Sequence, residues 1–83
     1  MNSRLYVGNL PGSMTEARLS AKFSEHGKVA RVKLITDHGT GGNLGYGFVE
    51  MDTSATAKRV IAELDGQIYD GGQLTVRTAT PER

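Results

Sequence analysis

Tyr46 and Phe48 stand two residues apart in Leu44-Gly45-Tyr46-Gly47-Phe48-Val49-Glu50-Met51, and Tyr6 lies within Leu5-Tyr6-Val7-Gly8-Asn9-Leu10. These are three of the chain's five aromatic residues. On an extended segment, rings two apart share one face, where they offer π surfaces rather than reactive groups. Reactive constellations are hard to find elsewhere. There is no cysteine, which excludes a thiolate nucleophile, a thiolate zinc site and a disulfide framework. His26 closes a helical pattern and His38 lies in a polar loop, neither with a second histidine at metal-ligand spacing. Ser3, Ser13, Ser20, Ser24 and Ser54 belong to no serine–histidine–acid pattern that sequence identifies. Gly39, Gly41 and Gly42 suggest a phosphate cradle, but no lysine–serine/threonine pair follows, and the stretch joins two strands. We expect no enzyme, no metal and no cofactor.

The elements that must position the rings are short. Residues 4–8, 29–35, 44–51 and 73–77 read as strands, mostly rich in β-branched or aromatic residues and bounded by glycine, asparagine or aspartate. Residues 15–26 read as a helix with Thr15 as N-cap, Glu16 in the first turn and Gly27 beyond the end. Residues 53–65 read as a second helix, with Ala57, Ile61 and Leu64 on one stripe, Val60 beside them and Gly66 as stop. The polar, glycine-rich stretch 37–43 reads as a flexible hairpin loop, and residues after Arg77 as a short tail. Eighty-three residues, 37% of them hydrophobic, suit one domain with one core. No apolar run approaches the ~18 residues of a membrane span, and no secretory h-region opens the chain. The order β-α-β-β-α-β, with right-handed crossovers, predicts an α+β ferredoxin-like sandwich. Its four-stranded antiparallel sheet carries both helices on one face. The other face has nothing to cover it, and function is expected there.

Alternation decides what that face shows. Arg4 and Glu50 mark the parity that meets water, since unpaired buried charges are costly. Tyr6, Tyr46, Phe48 and Leu44 share that parity, while Gly45 and Gly47 fall on the helix side, where a missing side chain permits close packing. Arg31, Lys33 and Arg77 also point outward, opposite Val32, Leu34, Leu74 and Val76. Ten basic against nine acidic residues is nearly neutral, yet the acids lie mostly on helices and turns. A neutral chain thus presents a basic, ring-bearing sheet, which suits single-stranded nucleic acid with phosphates on cations and bases on rings.

The same residues carry a family resemblance. Leu5-Tyr6-Val7-Gly8-Asn9-Leu10 resembles the hexamer signature of the RNA-recognition motif (RRM) family, and residues 44–51 resemble its octamer. They lie about 40 residues apart on the first and third strands, as the family requires. Six of the eight octamer positions match; Leu44 replaces the leading cation and Met51 the closing aromatic. Met51 falls on the core side, where methionine fills the same space. The resemblance implies that Tyr6 and Phe48 stack on two successive bases and that Tyr46 lies against sugars or between nucleotides. It implies that Asn9 shapes the turn after the first strand. It adds Arg77, Thr78, Ala79 and Thr80, near the end of the fourth strand, to Arg4, Arg31 and Lys33 as candidate contacts. The implied partner is single-stranded RNA, with single-stranded DNA an open alternative, for a monomer without membrane contact. The implied location is intracellular: cytoplasmic in a bacterium, nuclear or cytoplasmic in a eukaryote. The competing reading is a protein-interaction module that uses the same fold without nucleic acid.

Overall fold

The structure is a computed structural model and describes residues 3–79. Its elements are β1 (Arg4–Gly8), α1 (Glu16–Ser24), β2 (Val29–Thr36), β3 (Asn43–Met51), α2 (Ser54–Leu64), β4 (Ile68–Tyr69), β5 (Gly72–Gln73) and β6 (Thr75–Thr78). Strands β2, β3, β1 and β6 form, in that order, a four-stranded sheet whose neighbours are all antiparallel. This is the ferredoxin-like arrangement.

Both helices start where a threonine hydroxyl can take an unpaired amide. Thr15 Oγ1 accepts from the Arg18 N–H at 3.1 Å, and Thr53 Oγ1 accepts from the Thr56 N–H at 3.1 Å. Each such cap stabilises its helix by about 1 kcal/mol. Helix α1 ends two residues before His26, with Glu25 as its C-cap. Gly27 is required for a packing reason: a Cβ there would collide with the Thr56 methyl of α2.

The core lies between the helices and one sheet face. Phe23 and Leu19 of α1 and Val60, Ala57 and Leu64 of α2 close over Leu5, Val7, Val49, Met51, Leu74 and Val76. Met51 is 1% exposed, as its parity requires. The buried stripe of α2 centres on Val60, with Ile61 only partly buried at its shoulder.

Two features hold the sheet in its position. A bulge at Ala30 in β2 lets Val29 pair with Met51 and Arg31 pair with Glu50. The two edge strands each have a main-chain N–H taken by a carboxylate: Leu34 N–H donates to Glu16 Oε2 at 3.0 Å, and Val76 N–H donates to Asp65 Oδ1 at 2.9 Å. Such plugs discourage edge-to-edge pairing.

The segment between α2 and the last sheet strand forms a hairpin of its own. Asp70 (φ 52°) and Gly71 (φ 84°) form the turn of a small β4–β5 hairpin, and Gln73 belongs to it rather than to the main sheet. Asp-Gly is a strong hairpin signal, but two-residue flanks are too short to show alternation. Tyr69 packs against the core. The 37–43 loop is likewise organised: Asp37 Oδ1 accepts from the Gly39 and Thr40 amides, and the Gly41 N–H donates to the Asp37 carbonyl. Among the described residues, no helix is long and apolar enough to cross a membrane.

Candidate nucleic-acid interface

Strand pairing arranges the outward residues in rows across the uncovered face. One row crosses all four strands: Lys33 pairs with Phe48, Phe48 with Tyr6, and Tyr6 with Arg77. Two rings thus lie between two exposed cations. In the next row Arg31 and Arg4 flank Glu50, the one acid of this face among the described residues. On the other side Tyr46 pairs with Gly8, and Gly8 with Thr75. Sequence reasoning had passed over Thr75, although alternation against Leu74 and Val76 places it outward.

The three rings form one cluster. Tyr6 lies 6.0 Å from both Tyr46 and Phe48, centre to centre, and Tyr46 lies 6.4 Å from Phe48. Tyr6 is tilted 32° to Tyr46, while Phe48 stands edge-on to both, at 66° and 88°. All three are half-buried, so each keeps exposed surface. The Arg4 guanidinium sits 4.4 Å from the Phe48 ring centre, in cation–π range. Such a surface can stack flat ligands and neutralise anionic groups along the same row.

Several candidates need correction. Between the Leu34–Gly47 and Thr36–Asn43 pairs, β3 carries two more residues than β2, and Gly45 has φ +89°. Alternation counted back from Tyr46 therefore cannot assign Leu44 to a face; Leu44 is exposed, at 52%. Gly45 owes its identity to that backbone conformation and not to close packing, because a Cβ there would reach only the Leu10 carbonyl, at 3.8 Å. Gly47 does meet the packing expectation: a Cβ would lie 2.6 Å from the Lys33 carbonyl oxygen. Thr78 belongs to β6 and pairs with Leu5, so alternation turns it to the helix side, where it stays exposed. Ala79 is only 7% exposed, and its amide donates to the Arg4 carbonyl, so it extends the sheet instead of reaching out as a tail. Thr80 lies outside the described residues.

Residues near the face serve as its frame. Asn9 takes a left-handed conformation (φ 59°) and donates from Nδ2 to the Gln73 carbonyl at 2.7 Å, tying the end of β1 to the hairpin. His26 pairs through Nδ1 with Glu63 at 2.7 Å, joining the two helices away from the sheet. Among the described residues no cluster of His, Cys, Asp or Glu could hold a metal ion.

The family model of the RNA recognition motif matches residues 5–75. The chain belongs to that family. A relative, RbpE of Nostoc sp., is 48% identical over 77 residues, covering 93% of this chain and 78% of RbpE. A 28 kDa chloroplastic ribonucleoprotein of Nicotiana sylvestris is 45% identical over 76 residues, covering 92% of this chain. The chain spans only 28% of that relative's length. A solved Sxl-lethal protein/RNA complex superimposes with a TM-score of 0.92 at 31% identity, covering 100% of this chain and 50% of that one. The family and these relatives' names describe binding proteins rather than enzymes.

Proposed function

We propose that this RRM binds single-stranded RNA across its open sheet face. Bases stack on Tyr6 and Phe48, Tyr46 lies against sugars or between nucleotides, and Lys33, Arg77, Arg31 and Arg4 meet phosphates. The observation that carries this reading is the row Lys33–Phe48–Tyr6–Arg77, which sets two rings between two cations. The likeness to a chloroplastic ribonucleoprotein and to a protein solved with RNA supports RNA as the ligand class. Stacking itself accepts either sugar, so choice of RNA over DNA rests on 2′-hydroxyl contacts. The plugged edges at Leu34 and Val76 favour a monomer as the working unit.

The test is a titration with short single-stranded RNA and DNA oligonucleotides, followed by backbone amide shifts. Movement centred on Tyr6, Tyr46, Phe48 and their row partners is the expected result. A silent face at saturating oligonucleotide would overturn the proposal and favour a protein partner on the same rings.

A further inference from the structure

We propose that Gly8 is a positioning residue that lets the Tyr6 ring lie flat on the sheet as part of the ligand platform. The inference rests on the reading of the open face given above and adds a residue that makes no ligand contact of its own. Gly8 shares the outward parity of Tyr6 and sits between Tyr46 and Thr75 in their row. It is nonetheless buried, and what covers it is the ring of its own strand neighbour. A Cβ on Gly8 would lie 2.7 Å from the Tyr6 hydroxyl oxygen, 2.9 Å from Cε2 and 3.0 Å from Cζ. Real Cβ atoms do not approach that closely, so the ring would have to lift.

The backbone gives no other reason for glycine here. Gly8 lies outside the left-handed region that Gly41, Gly45, Gly66 and Gly71 occupy, so any residue could adopt its conformation. The vacancy above its Cα is therefore what glycine supplies. With that vacancy filled, the ring swings away from the sheet and loses its present relation to Tyr46, 6.0 Å away at 32°. The core lies on the opposite face and is not disturbed.

Three measurements test this. In the free protein, the Gly8 α-protons should show a ring-current shift that disappears in Tyr6→Leu; ordinary shifts in the parent would overturn the inference, whether or not any Gly8 variant folds. Gly8→Ala should keep the sheet's amide pattern and weaken single-stranded oligonucleotide binding by about 10-fold, part of the loss expected for a stacked base. Adding Gly8→Ala to Tyr6→Leu should weaken binding no further, because the ring to be positioned is gone. Full affinity in a folded Gly8→Ala protein, with Tyr6→Leu impaired, overturns the inference and leaves the face as the binding surface. Full affinity in Tyr6→Leu as well overturns both.

Discussion

The guanidinium of Arg4 rests over the ring of Phe48, 4.4 Å from its centre, so a surface offered for base stacking carries a cation before any ligand arrives. A base stacking on Phe48 must displace this group or lie beside it. Arg4 thereby has two opposed effects: it attracts phosphate and it competes for the ring.

Replacing Arg4 with alanine should separate these effects by salt. Losing one phosphate contact should flatten the dependence of log affinity on log salt by about 0.7. Removing the cation–π contact, worth about 0.5–1 kcal/mol at exposed sites, should spare the ligand that cost. The parent should bind more tightly at low salt, and the two affinity curves should converge or cross at high salt. Parallel curves would show that Arg4 meets no phosphate.

Phe48→Ala should cost roughly 1–3 kcal/mol of oligonucleotide affinity, the usual contribution of one stacked base. Stability should fall far less, by the roughly 0.2–1 kcal/mol of a cross-strand pair, because the ring lies opposite the core. Isothermal titration and thermal melting of the same preparation compare the two. A folded variant with parental affinity would remove Phe48 from the site.

Leu44→Lys restores the cation with which the octamer signature begins. Leu44 is 52% exposed, so the melting temperature should hardly move. If the bulge at Gly45 leaves this side chain beside Tyr46, affinity should rise and the salt slope should steepen by about 0.7. An unchanged slope with an intact fold would place Leu44 away from the phosphate path, on the far side of the bulge.

Asp65→Ala removes the acceptor of the Val76 amide at the β6 edge. A net loss of about 1 kcal/mol in urea unfolding is expected, as for one hydrogen bond. Exchange of the Val76 amide should quicken, while oligonucleotide affinity stays at the parental value, since Asp65 follows α2 on the covered side. An equal loss of affinity at matched folded fraction would contradict the separation of edge and face.

Much of the candidate face was legible in the chain because strand alternation is a local rule. Tyr6 two residues after Arg4, and Phe48 two before Glu50, inherit the orientation of charges that cannot be buried unpaired. Thr15 announced the start of α1 by the same kind of local chemistry, a hydroxyl within reach of an amide three residues on. The two signatures added what periodicity lacks, a spacing specific to one family.

Only the tertiary structure decided which outward residues stand side by side. The row Lys33–Phe48–Tyr6–Arg77 depends on register between strands far apart in sequence, and the bulge at Ala30 shifts that register by one residue within β2. The irregularity at Gly45 likewise broke the count that would have oriented Leu44, and pairing with Leu5 turned Thr78 toward the helices. Alternation carries orientation along a strand only while each residue faces one partner. A bulge sets two residues against one, and the hydrogen-bonded fit of neighbouring strands, not the chain's own pattern, determines where it falls.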